Sequence, residues 1–485
     1  MKRIGLVRMV YELEFELKVN FHFESSKVKN ISSKEYAKLF PLDNDEYFDD
    51  KESRTLFGTV IPETKKRNSN FGYLIIESTF DLEEYDSLLE GSANIRPQLL
   101  VIHGLLTFLT KHIFVSFQSF SSTHFLVKKH ISATLNSIKL KSDKIEYTED
   151  LKIILGTIAN SSYEKKVLIY TLFERWRKAL YLELESEESY IHLDESVLAY
   201  IHILEVLSDE YKGIIKKKVK DRKILLINEI IECIRNAESP NVKQISKLLT
   251  EINDNQVTLK SKVSQMLIEL NLDCLKSQNI VNRFVLHRNA IAHGRKDIYQ
   301  DKVVYPLRPF FSLIKDIDEN LEAIKILSAK TISNYFGLYA WEEEWDFLLF
   351  SELTPFTEVE EFVNNKEYET ITPKDFMNGK VQGINPWTIN RYYIKNKIKY
   401  SELEKILRNT FLNVNINKEN CRILFDTAIS LADSTIKELS EKAKLIVQKV
   451  DQNNWYFQSN LRDVLKDFEY YGKPLIWYGE YLTFR

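Results

Sequence analysis

The sequence predicts an α+β protein in three parts: a β-rich N-terminal domain over 1–155, an all-α helical bundle over 156–330, and a helical, aromatic-rich C-terminal extension over 331–485. Three observations predict it. Apolar residues alternate strictly from Glu12 to Glu24, the spacing changes to three- and four-residue steps from about Ser162, and 485 residues are enough for about three domains of ordinary size.

In the first part Leu13, Phe15, Leu17, Val19, Phe21 and Phe23 are apolar with polar residues between them, so a strand here buries one side and wets the other. Thr55–Ile61 and Gly72–Phe80 read as further strands, separated by the polar run Pro62–Asn70. Pro97–Leu109 is helical in spacing, and Ile113–Phe120 returns to strand-like alternation. A mixed, mainly antiparallel sheet is expected. In the second part Val167, Tyr170, Phe173, Trp176, Leu180 and Leu184 mark the apolar stripe of a helix. Val197–Leu207, Ile224–Ile234, Ile245–Ile252, Val263–Leu275 and Ile280–Ala292 repeat the pattern; Pro240 and Asn241 interrupt it, and the acidic Glu185–Glu188 reads as a solvated connection. In the third part Trp341 and Trp345 share a helical face, Asn378–Pro386 reads as a break, and Leu403, Ile406 and Leu407 mark one face of another helix. The aromatic tail Phe468–Phe484 is most simply core or an oligomer interface, with a recognition surface as a third reading.

Composition excludes several function classes. Lys and Arg total 67 against 70 for Asp and Glu, a formal charge of −3, so nucleic-acid binding needs a local patch rather than bulk attraction. The 13 glycines form neither GxGxxG nor GxxxxGK[ST], which leaves dinucleotide and P-loop phosphate cradles unsupported. Cys233, Cys274 and Cys421 lie far apart without CxxC, and the histidines show no metal-ligand spacing, so neither metal nor cofactor is expected. Glu12, Glu14 and Glu16 stand where a signal peptide needs an apolar core, and the uncharged stretches Pro97–Thr110 and His112–Val127 are short for a membrane span. A soluble, cytoplasmic protein is the expectation.

The informative stretch is Val281–Asp297, VNRFVLHRNAIAHGRKD, which gathers Arg283, His287, Arg288, Asn289, His293, Arg295 and Lys296. Arg288 and His293 are five apart, roughly 140° around an ideal helix, so they share no face unless the helix ends at His293. Gly294 in a left-handed C-cap conformation then permits them to converge. The plainer explanation is a helix terminated by glycine with cations at the negative end of its dipole.

The string Arg288-Asn289-Ala290-Ile291-Ala292-His293-Gly294 resembles the Arg-x4-6-His signature of the HEPN superfamily, in the form with a polar residue after the arginine. Ala93–Phe117, followed by the helices around Phe173–Leu182 and Leu198–Leu207, looks like the Apea-like HEPN proteins of bacterial phage defence, which join a β-rich domain to a HEPN bundle. The resemblance covers about residues 1–330 and implies a metal-independent endoribonuclease of abortive infection, with RNA (tRNA among the candidates) as substrate and a phage-derived trigger. It places Arg288 and His293 at the chemistry, with Asn289 in support. His287, Arg295, Lys296 and Arg283 are then candidate RNA-binding residues. A histidine near neutrality exchanges protons, and a guanidinium forks onto phosphate oxygens. One histidine does not easily make both proton transfers, so a homodimer through the HEPN domain is expected.

This chain departs from HEPN toxins that continue His-x-Tyr, because Arg295 stands there. Some members keep an acidic residue in the cleft; Glu205 is a candidate, and reads more simply as a solvent-facing or helix-capping carboxylate. His202 reads as a satisfied bundle residue. The run Lys212, Lys216, Lys217, Lys218, Lys220, Arg222 and Lys223 tracks an RNA backbone or is a solvated face, and Lys128, Lys129 and His130 are a smaller version of it. Arg175 and Arg177 flank Trp176, which fits the apolar stripe. The alternative from another class is a HEPN-fold module that binds RNA or protein without cutting, or a scaffold subunit.

Overall fold

The computed structural model describes residues 3–39, 71–114, 121–132, 135–141, 145–187, 189–235, 242–254, 257–293, 312, 317–455, 464–465, 468–469, 471–473 and 475–483. It is α+β, an N-terminal antiparallel sheet followed by helices to the C-terminus. The chain divides into two compact units, 1–273 with 280–348, and 274–279 with 349–485. Sheet and bundle therefore share the first unit, which also takes in residues 331–348. No helix among the described residues is long and apolar enough to cross a membrane.

Strands β1 (Ile4–Glu12), β2 (Leu17–Phe23), β3 (Ser26–Ile31), β4 (Tyr73–Asp81), β5 (Ser121–Val127), β6 (Ser137–Leu140) and β7 (Ile145–Glu146) form one sheet in the order β5-β1-β4-β3-β2-β6-β7. The alternation from Glu12 to Glu24 holds in β2, where Leu17, Val19, Phe21 and Phe23 are buried. It does not mark one continuous strand. The chain bends at Glu14 and Phe15, because β4 and β3 lie between β1 and β2 and the chain must cross over them. Phe15 stays apolar through the bend by stacking on His112 at 3.7 Å. The strand expected at Gly72–Phe80 is β4; Thr55–Ile61 and Pro62–Asn70 lie outside the described residues. Of the expected strand Ile113–Phe120, Ile113 and Phe114 are not strand and residues 115–120 lie outside the described residues; Phe114 is buried, its N–H donating to Thr107 Oγ1 at 3.1 Å, so its apolarity serves the core.

Both faces of the central strands are covered. Val10, Ile75 and Tyr73 point to one side, where Tyr36 of α1 (Ser33–Leu39) stacks on Tyr73 at 4.3 Å. Tyr11 points to the other, toward α3 (Arg96–Thr110), and its hydroxyl meets His103 Nε2 at 2.7 Å. The preceding helix, α2 (Leu88–Asn94), lies close over the Phe80 ring: a Cβ at Gly91 would come within 2.1 Å of that ring, and one at Gly5 within 2.3 Å.

The bundle begins with α4 (Thr148–Asn160), α5 (Tyr163–Leu184) and α6 (Leu193–Ser208). Phe173, Trp176 and Leu180 of the expected stripe are buried in α5, while Val167 and Leu184 at its ends are exposed. Helix α3 crosses α5 at Gly104, where a Cβ would lie 2.7 Å from Phe173 Cβ. Around that crossing Phe108, Trp176, Tyr200 and Trp341 pack edge-on and tilted, with centroids 5.2–6.1 Å apart. The pairs of this cluster are within the range of favourable ring geometry. Next come α7 (Lys212–Arg235), α8 (Val242–Asp254), α9 (Leu259–Glu269) and α10 (Leu275–Ala292). The expected single segment Val263–Leu275 is broken, since Asn271 takes φ 56° and the left-handed residue ends α9. Helix α11 (Ile317–Phe336) packs on α6, with Ser328 Oγ donating to the Tyr200 carbonyl. Trp341 precedes α12 (Glu342–Ser351) rather than lying within it, with φ 71°, although both Trp341 and Trp345 are buried as their spacing suggested. The approach to Trp341 is fixed by the buried Asp150 carboxylate, which accepts from the N–H groups of Tyr339 and Ala340 at 3.0 and 2.8 Å.

The second unit is helical throughout its described length: α13 (Phe356–Asn364), α14 (Glu367–Thr370), α15 (Pro373–Met377), α16 (Pro386–Ile394), α17 (Tyr400–Asn413), α18 (Cys421–Leu431) and α19 (Lys437–Gln452), then Ile476–Thr483. Its core buries Leu403, Ile406, Leu407, Phe362, Phe411 and Phe425. Phe468 and Tyr478 of the aromatic tail are buried in the same core, and Trp477 and Tyr481 pack against its edge.

Two predictions follow from the first unit. Replacing Gly104 by Ala forces the α3–α5 crossing apart, and urea denaturation should show a loss of about 1–3 kcal/mol, the usual cost of overpacking. His103 is fully buried, and desolvation, with the Arg177 charge assisting, pushes its pKa down to about 3. Unfolded, the ring takes up a proton near pH 6.5, so the unfolded state binds more protons between the two values. The stability that neutral His103 provides is present above pH 6.5 and falls as pH drops toward 3, by at most about 1.4 kcal/mol per pH unit. Denaturation curves at stepped pH should show that slope, and a Tyr11→Phe, His103→Phe double variant should lose that component.

Candidate functional site

The motif residues lie on the last turns of α10. The N–H of His293 donates to the Asn289 carbonyl at 3.2 Å, so the helical path continues up to His293, which is exposed. Gly294, on which the predicted convergence of Arg288 and His293 depends, lies outside the described residues, as do Arg295 and Lys296. Asn282, Leu286, Asn289 and His293 follow one another at four-, three- and four-residue steps, so Asn289 and His293 share the outer face of the helix with the exposed Leu286. Arg288 does not share it. It sits near the angular positions of the buried Val281 and Phe284, at the margin where α10 meets the bundle.

That margin is where Arg288 finds its partner. Its Nε donates to Glu205 Oε1 at 3.3 Å, and the other oxygen of Glu205 stands 4.0 Å from His202 Nε2. Helix α6 is buried over most of its surface, and Glu195, Leu198, His202 and Glu205 lie along the side left partly open. His202 and Glu205, three apart, therefore emerge side by side. Contrary to the expectation of a satisfied bundle residue, the His202 side chain is 43% exposed. Glu205 is neither a helix cap nor a free solvated carboxylate but the counter-charge of Arg288.

Burial lowers the proton affinity of His202 most; Arg175, Arg288 and Lys178 lower it further, and Glu205 opposes them. These charges come from three helices: α5 (Arg175 and Lys178), α6 (Glu205) and α10 (Arg288). Arg175 Nε is buried without a hydrogen-bond acceptor among the described residues. Its neighbour Arg177 is committed elsewhere, forking onto Glu174 at 2.8 Å and donating to the Phe114 carbonyl at 3.4 Å. Trp176 between them is fully buried, the core position its spacing indicated.

The remaining candidates scatter. Arg283 Nε donates to Asn320 Oδ1 of α11 at 3.2 Å, which engages that predicted RNA-binding residue within the bundle. His287 is half-buried on the side of α10 between them. Lys212, Lys216, Lys217, Lys218 and Lys220 lie exposed along α7, with Lys218 Nζ bonded to Gln265 at 2.7 Å. His130 is occupied by Thr79 and Asp81, at 3.2 and 3.1 Å. An open cleft of about 280 Å³ between α5 and α11 is lined by Glu183, Glu187, Asp318 and Glu322, a set that repels phosphate. The chain was compared with models of protein families, with curated proteins and with solved structures, and none matches it.

Glu205→Gln removes the one charge that raises the proton affinity of His202. The ring NMR titration of His202 should then move to lower pH, while stability changes by about 1 kcal/mol or less, as for partly exposed ion pairs. An unchanged titration would show that Glu205 and His202 do not face one another.

Proposed function

We propose that the chain is a metal-independent endoribonuclease of HEPN type that acts in anti-phage defence, with RNA as its substrate and tRNA among the candidates. The observation that carries this reading is the Arg288-Asn289-x3-His293 string at the end of a bundle helix, with Arg288 held at the junction of α6 and α10 and His293 exposed. The β-rich sheet preceding an all-α bundle accords with the Apea-like resemblance. Defence, trigger and target rest on that resemblance.

The chemistry needs three things. A base removes the proton of the 2′-hydroxyl, whose oxygen attacks phosphorus; a cation steadies the charge that builds on the phosphate oxygens; an acid protonates the departing 5′-oxygen. The products are a 2′,3′-cyclic phosphate and a free 5′-hydroxyl. His293 is suited to proton transfer and Arg288 to the phosphate oxygens, with Asn289 placed one residue along to orient either. Two transfers call for two groups, and the outer face of α10 that carries His293, Asn289 and Leu286 is the surface through which a second copy would bring its own histidine.

The ion pair of Arg288 with Glu205 favours a second reading, a HEPN-fold binding module that does not cut, because it gives the arginine a structural partner. One experiment separates the two. Purified protein in EDTA should cleave total cellular RNA to fragments with 2′,3′-cyclic phosphate ends. His293→Ala and Arg288→Ala should each lose about 100-fold or more of that rate, the usual scale of a lost proton-transfer or charge-stabilising group. Equal cleavage by wild type and His293→Ala would sink the assignment. RNA binding by wild type without any cleavage would support the binding module.

A further inference from the structure

We propose that Arg175, Lys178, His202 and Arg288 form a seat for an RNA phosphate, in which His202 takes up a proton as the phosphate binds. This deepens the reading above, sharing Arg288 with it, but assigns three residues from outside the α10 motif.

The argument starts from charge. The whole chain carries −3, yet three permanent cations from α5 and α10 act on one imidazole of α6. Against them stands Glu205, among the described residues the one carboxylate that acts on His202, and it is already paired with Arg288. The cluster is thus +2 with His202 neutral and +3 with it protonated. A compact surplus of cations is unfavourable by itself, and a partly exposed one is relieved by an anion. Arg175 gives a second, independent sign: its Nε–H is buried without an acceptor among the described residues, on a side chain whose fork is the natural partner of a phosphate.

His202 is placed to answer the anion. It lies in the exposed strip of α6, 43% accessible, so solvent and ligand reach it. Its proton affinity is lowered because the ring is partly desolvated and feels the charges of Arg175, Arg288 and Lys178, with Glu205, 4.0 Å away, opposing them. A phosphodiester brings one negative charge against those cations and lowers the surplus from +2 to +1, so the ring gains a proton and a charge-assisted hydrogen bond more readily. Binding and protonation are linked, so each favours the other.

The test uses the full chain and a fluorescein-labelled, fully 2′-O-methylated RNA oligonucleotide, which has no attacking hydroxyl, so that seating is measured apart from cleavage. Fluorescence anisotropy at constant ionic strength should show binding about tenfold tighter at pH 5.5 than at pH 8, the effect of about one unit of linked proton affinity. His202→Gln should bind with that pH dependence removed. Lys178→Gln, a change at an exposed position that leaves the fold intact, should weaken binding and reduce the slope of log K against log salt by about 0.7. The proposal is overturned by pH-independent binding in wild type, by pH dependence that survives His202→Gln, by an unaltered Lys178→Gln salt slope, or by no binding at all. RNA cleavage in EDTA by the same preparations reports separately on the nuclease. Cleavage without His202-dependent seating removes this proposal alone; His202-dependent seating without cleavage removes the nuclease and keeps the phosphate seat.

Discussion

The contact on which the first unit depends is the crossing of α3 over α5 at Gly104. With no side chain there, the α3 backbone comes close enough to Phe173 that a single added carbon would lie 2.7 Å from its Cβ. That approach brings Phe108 against both Phe173 and Trp176, and Trp341 closes over them. The same helix α3 grips the sheet from its other side through His103 and Tyr11. Sheet and bundle thus share one hydrophobic interior, which is why they fall in a single compact unit instead of two. Rigidity at the crossing also sets where α5 presents Arg175 and Lys178, since both lie within a turn of Trp176.

The polar surface of α5 and α6 is sorted by charge along the bundle. Toward the C-terminal end of α5, Glu183 takes Lys325 at 2.8 Å and the hydroxyl of buried Tyr200 at 2.7 Å, and opens onto the acidic cleft. Arg175 lies eight residues earlier, about 12 Å along the helix axis. There the balance inverts: the charges of Arg175, Lys178 and Arg288 all act on His202, with Glu205 opposing them. Separation on this scale exceeds the Debye length of physiological salt, about 8 Å, so the acidic end barely screens the basic one. One helix pair therefore carries a net acidic surface toward one end and a net basic one about two turns away.

How much of this was legible in the sequence follows from where each pattern is local. The apolar stripe of α5 showed plainly because Phe173, Trp176 and Leu180 face one interior and the opposite face is polar. Strand β1 did not, because IGLVRMVYE is covered on both faces and so has no alternation to read. The bend at Glu14 and Phe15 was hidden for a related reason: Leu13 and Phe15 remain packed through it, so the pattern ran on while the pairing changed. At the site, Arg288 and His293 stood out because their string is contiguous. The partnership of Arg288 with Glu205 joins residues 83 apart, and no local spacing encodes it. His202 and Glu205 looked like ordinary members of an apolar helix, and only the packing of α10 beside α6 shows that their strip is the part left uncovered.

The geometry of α10 adds a constraint that bears on every account of its motif. Arg288 faces the bundle margin and His293 the outer face, and the helical hydrogen bond of the His293 amide keeps them angularly apart up to that residue. Any chemistry requiring both at one phosphate must therefore gain their approach beyond the helix, through Gly294 and the chain that follows, or across two copies whose outer faces meet. The two routes differ in what they ask of Leu286. Among the described residues of one chain Leu286 is left 68% exposed beside the motif. Between two chains, as the proposed dimer would have it, Leu286 would lie in a seam beside Asn282, Asn289 and His293, and its burial would supply the association that brings each histidine to the other chain's arginine.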